Sequence, residues 1–407
     1  MKHQLTFPGN KLSGAVTLPV SKSMSSRLLV INAIGKLDLD LSSISDSKDT
    51  QTLKKLLSSG DHALNVLDGG TTARFLIAYL AATGRPAIVT GTSRMQKRPI
   101  LELIEALSQL GAEITYVKDR GSLPIQIHGA PMRGGTVKIR GDISSQFISA
   151  LLLIAPTLKN GLAISLIGNI VSRPYIDMTI TMMGHYGIAC GWDGNTIRVE
   201  PGCYVKNTPL LEKDWTAASY WYSMVALSPM AEITLHELGE ESLQGDSIVK
   251  DIFNELGVET KFTNSGCRIK NSQTQIDSFA WDFSDCPDLA QTIITTCAAM
   301  GIPGSFSGLA TLAVKETDRV AALKKELAKL NVTIRGSGAG TVGLLHSNEA
   351  LPSKLSFSTY SDHRMAMALS ALCMKNSVTI EDPGVVAKSY PNFWKELERA
   401  GIVIKSV

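Results

Sequence analysis

Long apolar runs recur along the chain, and each begins with polar residues. The segment from Ser361 reads SDHRMAMALSALC, and eight of its nine residues from Met365 to Cys373 are apolar. SKSMSSRLLVINAIG from Ser21, DGGTTARFLIAYLAA from Asp68, GDISSQFISALLLIAP from Gly141 and SDCPDLAQTIITTCAAMG from Ser284 repeat the pattern. DWTAASYWYSMVAL from Asp214 is a weaker case. Such runs predict helices that are apolar all round and therefore buried. Most follow a strand-like run such as TVKI or LSFS.

A second pattern fills the gaps. A helix ends near Gly or Asn, and an alternating strand, a turn and another strand follow, as in LSQLGAEITYV, HYGIACGWDGNTIRV, ELGVETKFTNSGCRI and KLNVTIRGSGAGTVGLL. Strand pairs with one polar face should cover the helices. The chain thus reads as about six mixed α/β units in two groups of three. We expect an α/β fold of two domains, each with central helices wrapped by sheets. The boundary should fall near Leu210–Trp215, with the first strand, LTFPG, pairing back onto the second half. The domains are then 1–17 with 215–407, and an inserted 18–214.

Composition narrows the class. The 407 residues exceed one compact core, which agrees with two domains. Net charge is +3, too small to argue for nucleic acid or an anionic membrane. The N-terminus MKHQLTFPGNKLSG has no apolar signal region, and the longest apolar stretch, around ALLLIAP, is soon followed by Lys159. Six scattered cysteines form no CxxC pair, so reduced thiols in a cytoplasmic protein are expected.

The polar starts of the buried helices carry the chemistry. A helix N-terminus presents unpaired N–H groups and the positive end of a dipole, so it favours anions. Ser144, Asp285 and Ser361 are explained by capping alone. Lys22, Arg27, Arg74 and Arg364 are not, because a cation there opposes the dipole. An anion lying between cation and helix end resolves the conflict. Several such sites together fit a polyanionic small molecule. Arg98 also precedes an apolar helix. Lys315 and Arg319 are spaced i,i+4 and should share one helical face, with Glu316 pointing elsewhere. Lys388 reads as extended chain before a proline.

No GxxxxGK[ST], no GxGxxG leading from a strand into a helix, no HExxH and no GxSxG is present. Phosphate-loop, dinucleotide, zinc-protease and α/β-hydrolase chemistry are thereby disfavoured. An acid–base site of Lys, Arg, Asp and Glu remains.

In order along the chain stand SKSMSSR, DGGTTARFL, SRMQKRPI, DISSQFISALL, SRPYIDMT, CPDLA, VKETDR, SDHRMAMA and VAKSYPNFW. With these motifs the chain resembles the EPSP synthase family of enolpyruvyl transferases nearly end to end. VKETDR followed by DHRMAMA is the most specific pair. The resemblance implies two domains, each of three βαβαββ-type units with buried helices and sheets outside, an inside-out α/β barrel, with the site in the cleft between them. It implies transfer of the enolpyruvyl group of phosphoenolpyruvate to the 5-hydroxyl of shikimate 3-phosphate, in the shikimate pathway to aromatic amino acids. No metal or organic cofactor, nucleic acid or membrane is implied. A cytoplasmic monomer that closes around its substrates, and a target for glyphosate, is expected.

The same resemblance implies the site residues. Lys22, Ser23, Arg27, Ser144, Ser145, Gln146, Ser172, Tyr175, Asp288 and Lys315 would bind shikimate 3-phosphate. Lys22, Gly70, Arg98, Gln146, Arg319, Arg364 and Lys388 would bind phosphoenolpyruvate, with Asp68 and Arg74 near it. Asp288 would be the base, Glu316 or Lys22 the proton donor, and His363 would stand beside them. Ser26, Asp68, Gly69, Thr311 and Ala313 depart from the usual residues at their positions. Two other readings are a UDP-N-acetylglucosamine 1-carboxyvinyltransferase and a non-catalytic phosphate- or RNA-end-binding protein on a related fold. The former usually carries a reactive cysteine in its first domain, where this chain has none before Cys190. Asp288, Glu316 and Lys22 together argue against the latter.

Overall fold

The computed structural model describes residues 1–9, 11–336, 340–346 and 354–407. The turn expected within KLNVTIRGSGAGTVGLL lies partly outside them. The chain divides into two compact units. The inserted unit is Ser21–Leu211; the split unit joins Met1–Val20 to Glu212–Val407.

In the inserted unit the helices are α1 (Lys22–Gly35), α2 (Lys48–Ser58), α3 (Gly70–Ala82), α4 (Ser93–Gln96), α5 (Leu101–Gln109), α6 (Ser145–Ile154) and α7 (Arg173–His185). In the split unit they are α8 (Trp215–Leu227), α9 (Val249–Glu255), α10 (Ala290–Met300), α11 (Arg319–Leu327), α12 (His363–Ser370) and α13 (Phe393–Arg399). The apolar helices lie inside. All eight residues of α12 are buried, as are nine of the ten in α6 and twelve of the thirteen in α8. α2 carries its apolar residues Leu53, Leu56 and Leu57 on one buried stripe.

One repeat organises the sheets. Gly135–Arg140 runs parallel to Leu162–Ile167, with α6 between them in the chain; antiparallel Thr196–Val199 and Cys190–Asp193 then extend the sheet. The same order holds around α3, α10 and α12. Two of these sheets lie in the inserted unit. In the split unit, Lys2–Thr6 supplies the third strand beside Val378–Glu381, and Val403–Ser406 the fourth. Leu12–Thr17 runs parallel to Ala231–His236, and the link between them contains the whole inserted unit and α8. A split unit follows directly from these two pairings. Among the described residues five four-stranded sheets result; around α1 the segment 36–47 forms no strand.

A helix that follows the first parallel strand starts at that strand's C-terminal edge. Repetition therefore brings several helix starts to one edge of each unit. Strand burial alternates, as in Ala231–His236, so one sheet face packs on the helices. All six cysteines are unpaired, and burial pushes the Cys297 and Cys373 thiols up to about 12.

Candidate active site

The structure assembles two constellations, one in each unit. In the inserted unit, α1 packs on α2, α3, α6 and α7. Ser21 caps α1, its Oγ accepting from the Met24 amide. Ser144 caps α6 in the same way, through the Gln146 amide at 3.3 Å, and leaves Ser145 and Gln146 in the first turn. Gly69 stands at the cap of α3 and offers no side chain, so the first amides there lack that partner.

Arg27 ties three of these helix starts together. Its Nε donates to Thr179 Oγ1 at 2.7 Å, and Nη2 donates to Ser149 Oγ at 3.2 Å and the Tyr175 carbonyl at 2.8 Å. Nη1 donates to the Ser23 carbonyl at 2.9 Å. Every acceptor is neutral. Burial therefore pushes the guanidinium down to about 10, against a small opposing influence from Tyr175. It remains charged at neutral pH.

Lys22, the first residue of α1, pairs with Asp49 at 3.2 Å. The Asp49 carbonyl in turn accepts from Thr72 of α3. Gly70 opens α3 against two guanidinium groups. A Cβ there would lie 2.6 Å from Arg98 Nη2 and 2.7 Å from Arg74 Nη1. Arg98 also donates to the Asp68 carbonyl, while the Asp68 carboxylate accepts from Thr92. Arg74 lies over the Phe147 ring of α6. Ser172 precedes α7 in left-handed backbone, buried, with Tyr175 in the first turn. Lys22, Gly70 and Arg98 thus join Ser144, Ser145, Ser172 and Tyr175 on one set of helix starts.

The split unit holds the carboxylates. Arg319 opens α11 and is sealed from water. Its Nε donates to Asp362 Oδ2 at 2.8 Å, Nη1 to Asp288 Oδ1 at 3.2 Å, and Nη2 to Glu316 Oε2 at 3.1 Å. Burial is the largest influence and opposes its charge; Asp362, Glu316 and Asp288 together outweigh it and hold the group above its ordinary pKa. Arg364 Nη2 meets Asp288 Oδ2 at 2.6 Å, and Lys388 Nζ meets Glu316 Oε1 at 2.9 Å. Asp362 also caps α12 through the Arg364 amide. His363 is buried beside it, Nδ1 lying 3.7 Å from Asp362 Oδ1. Burial pushes the Tyr220 phenol of α8 up to about 12, against the opposing influence of the Arg364 charge.

Five expectations change. Lys315 and Arg319 do not share a helical face. Asp318 caps α11, so Lys315 lies in extended chain before it, after a 3-10 turn over Ala310–Val314. Glu316 does not point away: it contacts Arg319 and Lys388. Lys388 ends a 3-10 helix, Pro383–Lys388. Ser361 is not a cap, because Asp362 takes that place, and Asp285 precedes a 3-10 turn at whose cap stands Cys286. Sequence reasoning missed Asp49 and Asp362 as partners of Lys22 and Arg319. The capping pattern D-H-R offered a local signal for Asp362; none existed for Asp49.

Comparison with known proteins gives a consistent result. The family profile described as EPSP synthase (3-phosphoshikimate 1-carboxyvinyltransferase) matches residues 54–397. A 3-phosphoshikimate 1-carboxyvinyltransferase from Bacteroides fragilis strain YCH46 is 43% identical, covering 100% of this chain and 99% of its own length. One from Haemophilus influenzae strain Rd is 32% identical over 96% of this chain and 97% of its own. Among solved structures, an EPSP synthase from Acinetobacter baumannii superposes with a TM-score of 0.80 at 20% identity, with full coverage of both chains; it supports the fold.

Proposed function

The chain belongs to the EPSP synthase (3-phosphoshikimate 1-carboxyvinyltransferase) family, and on that premise we propose which of its residues carry the reaction. It is a transferase of the shikimate pathway: the enolpyruvyl group of phosphoenolpyruvate moves to the 5-hydroxyl of shikimate 3-phosphate, and phosphate leaves. Both substrates are polyanionic small molecules, so holding them together costs Coulomb repulsion that cations must offset.

Shikimate 3-phosphate is assigned to Ser23, Arg27, Ser144, Ser145, Gln146, Ser172, Tyr175 and Lys315, and phosphoenolpyruvate to Gly70, Arg98, Gln146, Arg364 and Lys388. Lys22 serves both. In the addition step, Lys22 gives a proton to the methylene carbon of phosphoenolpyruvate. Asp288 takes the proton of the 5-hydroxyl, and that oxygen bonds to C2, forming a tetrahedral ketal. Elimination follows: a methyl proton returns to the Lys22 amine, the C2–O bond to phosphate breaks, and the proton held by Asp288 passes to the departing phosphate oxygen. Lys22 is preferred over Glu316 as donor because Arg319 and Lys388 stabilise Glu316 as a carboxylate. Arg319 holds the acids in place. His363 acts through its contact with Asp362.

The single observation behind this reading is the gathering of Asp288, Glu316, Arg319, Arg364 and Lys388 into one connected network of ion pairs. Phosphate release measured with both substrates tests it. Lys22→Met and Asp288→Ala should each lower kcat by about 10²–10⁴-fold; Glu316→Gln should cost less than Lys22→Met. Lys22→Met or Asp288→Ala within about tenfold of the parent would remove that residue from the mechanism. No helix among the described residues is long and apolar enough to cross a membrane. The chain is proposed to work as a cytoplasmic monomer without nucleic acid, and sedimentation at the monomer mass checks the oligomeric state.

A further inference from the structure

The ion pairs of the split unit form two layers. The inner pair, Arg319 and Asp362, is 1% and 0% exposed. The outer pairs reach water: Asp288 and Arg364 are 19% and 8% exposed, Glu316 and Lys388 11% and 10%. Each outer carboxylate divides its oxygens. Asp288 places Oδ2 on Arg364 and Oδ1 on Arg319; Glu316 places Oε1 on Lys388 and Oε2 on Arg319. Either one can therefore leave its outer cation and keep its hold on the inner guanidinium.

We propose that Asp288 and Glu316 are specificity-determining counter-ions, occupying on Arg364 and Lys388 the places of two anionic groups of the substrate. Phosphoenolpyruvate, with a carboxylate and a phosphate on one small frame, replaces both together. A monoanion replaces one and leaves the other pair closed, so it gains less. Exchange at Arg364 also frees Asp288 Oδ2, the oxygen best placed to become a base, so the base is exposed only when the anion has arrived. The inner Arg319–Asp362 pair stays fixed and keeps both carboxylates close. This inference rests on the functional reading above for the identity of the ligand.

The test uses calorimetric titration of the full chain with phosphoenolpyruvate, and separately with acetate as a monoanion. If the carboxylates compete with the ligand, Asp288→Asn and Glu316→Gln should each bind phosphoenolpyruvate about tenfold more tightly than the parent, although turnover falls. Acetate should gain in both variants by a smaller factor. Asp288→Glu keeps the charge and should bind like the parent, which separates charge removal from misfolding. Phosphoenolpyruvate affinity that is unchanged or weaker in both Asp288→Asn and Glu316→Gln overturns the proposal, since carboxylates that only position the cations predict that sign. Loss of turnover in the parent protein would instead sink the functional reading, whatever the titrations give.

Discussion

Arg27 and Arg319 are both buried guanidinium groups near helix starts, yet their surroundings are opposite. Arg27, in the inserted unit, is held by two hydroxyls and two carbonyls. Arg319, in the split unit, is held by three carboxylates. Burial lowers the first to about 10, whereas charge partners raise the second despite burial. The difference teaches what each is for. A buried cation with neutral partners keeps an uncompensated charge, tolerable when an anion arrives beside it. A buried cation with carboxylate partners organises other charges and has no surplus to offer. Two arginines that look alike in a sequence thus serve as anion receptor and as scaffold.

The sharpest way to break this contrast is to remove each guanidinium. Arg319→Met leaves Asp362 as an uncompensated buried carboxylate and deprives Asp288 and Glu316 of a shared anchor. A loss of about 3–5 kcal/mol in stability is expected, measured by urea unfolding. Arg27→Met strands only neutral acceptors and should cost about 1–3 kcal/mol. Equal losses would mean that partner charge does not distinguish the two positions.

Binding should reverse the ranking for the sugar-like substrate. Arg27→Met removes an uncompensated charge from the proposed phosphate site. Its affinity for shikimate 3-phosphate, measured by calorimetry, should fall by about 30–100-fold, or roughly 2–3 kcal/mol. Arg27→Lys should restore only part of it, because an ammonium cannot span Ser149, Thr179 and both carbonyls. A fully active Arg27→Met protein would reduce Arg27 to a strut between helices.

Gly70 extends the test to the second anion. Its Cβ position is already filled by the ends of Arg98 and Arg74. Gly70→Ala therefore displaces guanidinium groups, which are flexible and can shift, and leaves the fold intact. KM for phosphoenolpyruvate should rise about tenfold while KM for shikimate 3-phosphate changes little. An equal rise in both would place Gly70 elsewhere in the site.

Much of the architecture was legible before any coordinates. Apolar runs gave the buried helices α1, α3, α6, α8, α10 and α12, and alternation gave hairpins such as Cys190–Asp193 with Thr196–Val199. These signals are local and periodic, set by burial of one face or of all faces. What failed was short-range geometry near caps. Lys315 and Arg319 have helical spacing, but Asp318 between them ends the non-helical approach, and a capping aspartate in T-D-R could have shown it. Long-range pairing left no trace at all. Asp49 meets Lys22 across 27 residues and Asp362 meets Arg319 across 43, distances at which no periodicity operates. The cations of the site, with Asp288 and Glu316, were visible from the resemblance; the counter-ions Asp49 and Asp362 were not.

The smallest effect probes how finely Arg27 is tuned. Ser149 and Thr179 supply its two hydroxyl acceptors and lie 2.8 Å from each other. Ser149→Ala leaves one buried N–H of Nη2 with only the Tyr175 carbonyl to share. The expected loss of stability is about 1 kcal/mol, read from urea midpoints. The charge on Arg27 is untouched, so shikimate 3-phosphate affinity should change by less than about threefold. Should Ser149→Ala instead weaken that ligand as much as Arg27→Met does, the orientation of the guanidinium, and not its uncompensated charge, would be what the inserted unit contributes. The contrast between the two arginines would then be one of geometry alone.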